Sequence, residues 1–484
     1  MNLKRKLISA IGWSVAIKLA VQIVIWAMTL MVIRIIPPGD YGLMAITQLF
    51  VNFMAGFASL GLGDALIQRN DTPPAIVARV FGAQIAIALA LTLLMDVAAY
   101  PVAAWYADPR LIPLIQVSSL SYLFFALTSL PRAYLAKNLR VRPMFIVEAA
   151  SGLVGAGTVI LLAFAGHGVW ALMWGTTAGH LARTIAFALV APEYFVWPRF
   201  GFTGMGELFS FGIYRTLEFT VWVIFSSADI FVISTWLGPT AVGVYSVASN
   251  FASMPLSKIA PIVNSTIFPA FAMVQERAAD ARFYALKGLR IMAVTAVPIF
   301  FGISATAPEI VDIVFGPNWL AAKPVLAILA LANVFKVILL IIPNYLQGLG
   351  DSRAGFWCTA SGALIFPPAF AIGCHWGVVG IAWAWFLGYF AVYPLNALIA
   401  ARRGGLDLKQ ILLIPMPPMI AGAIMMVAVA AARDPMPPEL PEAARFAVLV
   451  CVGAVVYGTI LFVGFRALVM ELIRPMLRRS SPAT

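Results

Sequence analysis

Long apolar runs, broken by short polar turns, succeed one another along the whole chain. A helix needs about 20 predominantly apolar residues to cross the hydrocarbon core of a bilayer. The strands of a membrane β-barrel are shorter, roughly ten residues, and alternate in polarity. The runs here are of the helical length and predict fourteen helices, near 7–36, 41–68, 77–100, 111–137, 143–165, 169–190, 207–236, 241–273, 283–305, 319–347, 354–373, 378–400, 411–432 and 442–465. The turns are rich in Pro and Gly, as in Pro37-Pro38-Gly39-Asp40, Thr72-Pro73-Pro74 and Gly350-Asp351-Ser352, which punctuate helices. No turn is long enough for a soluble domain. The expected fold class is all-α, polytopic in a membrane.

Polar residues inside these runs carry the chemistry. Lys18, Arg132, Arg215, Lys258 and Lys336 fall within predicted helices 1, 4, 7, 8 and 10. Steps of three, four and seven residues place side chains on one helical face. Such stripes run through Ser14, Lys18, Gln22 and Thr29, through Ser121, Thr128 and Arg132, and through Arg215, Glu218, Trp222 and Asp229. Two more run through Ser246, Asn250, Ser253 and Ser257, with Lys258 beside them, and through Asn333, Lys336, Asn344 and Gln347. Ionisable groups at membrane depth are costly and usually face a bundle interior or a watery cavity.

Composition agrees with the pattern. The 484 residues are 62% hydrophobic and 11% charged, with a mean hydropathy of +0.94. The net charge of +12 reads as topology rather than as nucleic-acid binding, because the basic residues cluster in alternate turns. With a cytoplasmic N-terminus, the inner turns hold Lys4, Arg5, Lys6, Lys137, Arg140, Arg142, Arg282, Lys287, Arg290, Arg402 and Arg403 among others, and the outer ones hold Arg34, Arg110, Lys323, Arg433 and Arg445. Both termini are therefore expected inside. Lys4-Arg5-Lys6 precede an apolar run longer than the roughly 7–15-residue core of a signal peptide, so the first helix is expected to be retained. Cys358, Cys374 and Cys451 have no paired spacing and read as small core residues. His167, His180 and His375 have no metal spacing; His167 and His375 fall in turns. Trp13, Trp26, Trp105, Trp319 and Trp376 lie near helix ends and read mostly as an interfacial belt.

An internal repeat sets the architecture. Gly39-Asp40-Tyr41-Gly42 is echoed by the stretch from Gly238 to Gly243, Tyr134-Leu135 by Tyr345-Leu346, and Gly168-Val169-Trp170 by Gly377-Val378-Val379. The copies keep a separation near two hundred residues. Helices 1–6 should therefore repeat as helices 7–12. An even number of helices per repeat preserves orientation, which predicts two lobes related by an axis along the membrane normal and a site at their interface. The expected division is 1–200, 201–405 and a two-helix extension over 406–484.

The same motifs resemble the polysaccharide transporter branch of the multidrug/oligosaccharidyl-lipid/polysaccharide exporter superfamily. The likeness runs through Pro38-Gly39-Asp40-Tyr41-Gly42, Leu139-Arg140-Val141-Arg142 with Glu148, Gly168-Val169-Trp170-Ala171-Leu172, Ala228-Asp229, Gly243-Val244-Tyr245-Ser246, Phe268-Pro269-Ala270 and Gly316-Pro317-Asn318-Trp319 with Pro324. It implies two six-helix lobes alternating between inward- and outward-open states, around a cavity lined mainly by helices 1, 2, 7 and 8, with 4 and 10 alongside. The implied substrate is a lipid-linked oligosaccharide, flipped from the cytoplasmic to the periplasmic leaflet of a bacterial inner membrane. Membrane lipids, a glycan polymerase and a chain-length regulator are the implied partners.

A diphosphate must be neutralised while it crosses, and Arg and Lys bind phosphate through charge-assisted hydrogen bonds. Arg132, Lys336, Arg215, Lys18 and Lys258 are thus the candidate substrate contacts. Asp229, Glu218, Gln22, Asn250 and Asn344 are the candidate polar or coupling positions. The competing reading is structural: Arg215 with Glu218 one turn away, or others with Asp64, Asp229 or Glu148, can form buried ion pairs. No phosphate-cradling GxxxxGK[ST] motif occurs, so no nucleotide, metal or other cofactor is expected. The rival readings are a multidrug exporter of the same superfamily and a membrane glycan polymerase or ligase. The latter needs catalytic groups in sizeable outer loops, and the loops are short.

Overall fold

The computed structural model describes residues 21–59, 62, 73–138, 140–201, 203, 205–273, 277–437 and 439–466. The described regular structure is helical. The long segments are α1 (Val21–Ile35), α2 (Pro38–Ser59), α3 (Pro74–Trp105), α4 (Leu111–Lys137), α5 (Val141–Phe164), α6 (Val169–Val190) and α7 (Gly206–Trp236), followed by α8 (Pro239–Met273), α9 (Ala278–Ala305), α10 (Ala322–Gly348), α11 (Ser352–Gly373), α12 (Gly377–Gly404), α13 (Leu408–Arg433) and α14 (Glu442–Gly464). Helices close their own backbone hydrogen bonds, which hydrocarbon cannot do for them. Among the described residues ten spans are long and apolar enough to cross a membrane, and the chain is a multi-pass integral membrane protein.

Several helices run past their expected ends, for physical reasons. Pro74 starts α3 three residues early, because proline lacks only a donor that the first turn leaves unpaired. Pro101 is tolerated inside the same helix. α10 starts late: Gly316, at φ +89°, ends a π turn, and a short 3₁₀ turn over Pro317–Trp319 follows. That turn folds Trp319 inward against Phe315, with ring centroids 6.2 Å apart. Trp319 is consequently fully buried and is no part of an interfacial belt. Cys358 and Cys374 are buried as expected, whereas Cys451 is exposed on α14 and is not a core residue.

The chain divides into two compact units, 1–243 and 244–484, so the division falls near the start of α8, after its first five residues. In the first unit, α5 and α6 form the most extensive pair, α3 packs on α4, α4 on α6, and α2 on α7. In the second, the same order recurs: α11 with α12, α9 with α10, α10 with α12. α13 packs on α9 and pairs with α14. The repeated motifs take the same local roles. Gly168 and Gly377 begin α6 and α12 at φ +53° and +68°, a conformation L side chains rarely adopt. Tyr134 stacks on Tyr194, just beyond α6, with centroids 5.0 Å apart. Tyr345 donates its hydroxyl to the carbonyl of Gly404, at the end of α12, at 2.7 Å.

The repeat is most explicit at the starts of α2 and α8. A Cβ on Gly42 would lie 1.7 Å from the carbonyl oxygen of Pro239, and a Cβ on Gly243 would lie 1.7 Å from that of Pro38. The contact is reciprocal, each Pro-led turn resting on the other's glycine. Only a residue without a side chain permits this approach. Gly42→Ala or Gly243→Ala must separate the two turns, and overpacking of this kind costs about 1–3 kcal/mol. Thermal unfolding in detergent should drop clearly for either variant.

An ion pair ties α13 to the α9–α10 connection. Arg433 Nε donates to Glu309 at 2.6 Å and its Nη2 donates to the other carboxylate oxygen at 3.0 Å and to the Ala305 carbonyl at 2.7 Å. Glu309 is buried. Removing one member of such a pair strands the other, at a cost of about 3 kcal/mol, whereas replacing both by apolar groups costs far less. Arg433→Ala should therefore lower the unfolding temperature, and the double variant Arg433→Met/Glu309→Leu should regain most of the loss.

Candidate functional site

The first unit holds Gln22, Arg132, Arg215, Glu218 and Asp229 of the expected site. Lys18 and the side chains of Arg215 and Glu218 lie outside the described residues. Gln22 is half-buried on α1 and Arg132 is exposed on α4. Among the described residues no ion pair involves Arg132. Asp229 is buried on α7, with its Oδ1 accepting from the Ile230 backbone N–H at 2.7 Å. The position of Arg215 adjoins a close crossing: Thr216 donates to the Gly56 carbonyl of α2 at 3.4 Å, and the absence of a side chain at Gly56 makes room for Phe219. Glu148, weighed above as a partner for the cations, pairs instead with Arg183 of α6 at 2.8 Å.

The second unit holds Asn250, Lys258, Lys336 and Asn344. Asn250 and Lys258 are exposed on α8. Asn344 donates its side-chain amide to the Leu340 carbonyl at 2.7 Å, where α10 breaks between its two segments. Lys336 is half-buried midway along α10, with its ammonium 4.1 Å from the centroid of the Trp385 ring. Trp385 is itself fixed. Its indole N–H donates to the Tyr245 hydroxyl at 2.8 Å, and Phe366, Phe370 and Tyr389 pack around the ring with centroids 4.4, 4.9 and 5.9 Å away. A ring face attracts a cation, the more strongly when water is excluded. The arrangement presents one positive charge at mid-helix from an apolar wall.

Reasoning from the sequence missed two features. The aromatic wall was hidden because Trp385, Tyr389, Phe366 and Phe370 read as ordinary apolar positions of α12 and α11. A small polar cavity inside the first unit, between α2, α4 and α6, has a volume of about 30 Å³. Gln48, Asn52, Ser121 and His180 line it. The i, i+4 pairs Gln48/Asn52 and Thr176/His180 were its only traces in the sequence.

The wall yields a prediction. Trp385→Ala removes a large buried ring and should cost about 3–5 kcal/mol of stability. Lys336→Met keeps the stem and loses the charge, so it should leave the unfolding temperature within about 1 kcal/mol of wild type, a volume-conserving change. Thermal melts of the two purified variants compare a structural with a purely electrostatic role.

Comparison with known proteins follows the same direction. The family described as "Polysaccharide biosynthesis protein" matches residues 31–324. The succinoglycan biosynthesis transport protein ExoT of Rhizobium meliloti strain 1021 is 28% identical over 484 residues, covering 98% of this chain and 97% of that protein. The lipopolysaccharide biosynthesis protein WzxC of Escherichia coli strain K12 is 24% identical over 411 residues, covering 83% and 81%. Among solved structures, the lipid II flippase MurJ in an inward closed conformation matches with a TM-score of 0.73 at 13% identity, covering 94% of this chain and all of that one; this likeness concerns the fold.

Proposed function

The chain belongs to the polysaccharide biosynthesis protein family, and on that premise we propose that it is a flippase for a polyprenyl-diphosphate-linked oligosaccharide. It carries the repeat unit of an O-antigen, capsule or exopolysaccharide from the cytoplasmic to the periplasmic leaflet of the bacterial inner membrane, by alternating access and without making or breaking a covalent bond. The observation that carries this reading is similarity over almost the whole chain to a succinoglycan transport protein. The charges fit it. Basic residues concentrate in alternate turns, which supports an inner-membrane placement with both termini cytoplasmic. Lys336 and Arg132 stand within spanning helices, where a diphosphate needs a counter-charge. Arg215, Lys18 and Lys258 complete the proposed diphosphate contacts, and Asp229, Glu218, Gln22, Asn250 and Asn344 the polar surroundings. A glycan polymerase and a chain-length regulator are the proposed recipients of the flipped unit.

Export measured in cells lacking the native gene and complemented with variants tests the assignment. A lost charge-assisted contact is worth about 1.5–3 kcal/mol, so Arg132→Ala and Lys336→Ala should each reduce surface glycan about tenfold or more at unchanged protein abundance. Arg132→Lys should retain more activity than Arg132→Ala. Alanine variants that are abundant and export normally would remove these residues from the substrate path. Drug efflux without any glycan phenotype on gene deletion would replace the flippase reading with a multidrug exporter.

A further inference from the structure

The cavity between α2, α4 and α6 is polar where a purely structural helix interface would be greasy. Gln48 and His180 each lie about ten residues from an end of their helix, which at 1.5 Å per residue is about 15 Å deep, near the middle of a bilayer. Ser121 is buried, and its hydroxyl has no hydrogen-bond partner among the described residues. Thr176 and Thr177 donate back to the Met173 carbonyl of their own helix, which leaves their oxygens able to accept. Buried polar groups without protein partners call for water or a ligand, and the site has the several polar partners that a trapped water needs.

His180 is the titratable group on this cavity's wall. Phe125 meets its ring edge-on at 5.1 Å between centroids, and Phe124 lies nearly parallel at 6.5 Å. Burial against these rings favours the neutral imidazole, whereas the amide and hydroxyl oxygens of Gln48, Asn52 and Ser121 favour an imidazolium through water. Neither α2 nor α4 brings a charged group to this cavity. Arg183 lies one turn further along α6 and pairs with Glu148 on α5 at 2.8 Å. Arg183 opposes a second positive charge and Glu148 offsets it. No lining residue is a carboxylate, so a bound alkali cation would lack a counter-charge. The imidazole needs none in its neutral form.

From this geometry we infer that His180 is the proton-binding group that couples transport to the proton gradient. This rests on the flippase reading given above. A proton arrives from water on one side of the membrane, forms an N–H bond with the free imidazole nitrogen through cavity water, and leaves by the reverse step to water on the other side. Nothing else is bonded or broken. The imidazolium is favoured when the cavity is hydrated and the neutral ring when it is closed and dry. That difference gives the proton its unequal affinity for the two states, without which it could shift no equilibrium.

Two measurements on the full chain test this. In cells, glycan export by wild type should fall at least about fivefold when an electroneutral K⁺/H⁺ exchanger collapses the pH gradient, the lower range of typical coupling. His180→Gln should export at that reduced level and show no further response to the exchanger, while His167→Gln and His375→Gln behave as wild type. In vesicles, ¹⁵N-histidine spectra contain three imidazoles. The signal that His180→Gln deletes should titrate, and Ser121→Ala should shift its midpoint. Gradient-driven export by His180→Gln at the wild-type level overturns the inference, as does a His180 signal that never titrates or export that follows Na⁺ in place of pH. Absence of any glycan phenotype on gene deletion overturns the flippase reading instead, and the vesicle titration still decides whether His180 binds protons.

Discussion

Hydrocarbon offers no hydrogen bonds, and that one deficit shapes this protein at every scale. It forces the backbone into helices that satisfy themselves. It also makes every polar side chain inside a span answer for its presence. Most do so locally: Thr47, Thr92, Thr128 and Thr158 return their hydroxyls to a carbonyl four residues back. A membrane helix can therefore carry many hydroxyls without any of them marking a site. Side chains whose contacts lie off their own backbone are the informative ones, among them a lysine on a tryptophan face and a histidine on the wall of a polar cavity.

Association between such helices cannot rely on hiding apolar surface from water, because lipid is as apolar as the neighbour. Close approach has to supply the difference, and glycine permits it. The reciprocal contact of Gly42 with Pro239 and of Gly243 with Pro38 is the extreme case. Gly155 against Gly175 on α5 and α6, and Gly373 against Gly380 on α11 and α12, repeat the device within the two helical hairpins. Where backbones meet this closely, dispersion is gained over many atoms at little side-chain entropy cost. The sequence motifs that signalled a duplication were therefore packing motifs, preserved in both halves because each half solves the same contact problem.

That explains what reading the sequence alone could and could not reach. Helix existence followed from run length, since about 20 apolar residues have few other uses. The starts of α2 and α8 and the left-handed glycines at 168 and 377 were visible as Gly-rich echoes. Helix ends were less so, because proline at a first turn extends a helix as readily as it stops one. Trp319 looked interfacial from its place near a helix end, but the short turn that follows Gly316 buries it. The charged positions were found by their cost in a membrane; their partners were not. Arg183 with Glu148 joins residues 35 apart on two helices, and no spacing rule within one helix predicts it. Lys336 and Trp385 face one another across α10 and α12, a relation that belongs to packing rather than to sequence.

The cations of this chain meet two kinds of partner. Arg433, Lys323 and Arg140 meet carboxylates, and they lie at or just beyond helix ends. There a neutral pair anchors a connection, and nothing charged has to pass. Lys336 lies midway along α10 and rests on an indole face. An aromatic ring stabilises a cation through its quadrupole, with no formal charge of its own. The contrast separates two ways of holding a cation among helices: a carboxylate that fixes a connection through directed hydrogen bonds, and a ring face that is itself fixed by packing. The packing of Phe366, Phe370 and Tyr389 around Trp385, with the indole N–H donated to the Tyr245 hydroxyl, holds the face against which the Lys336 ammonium rests.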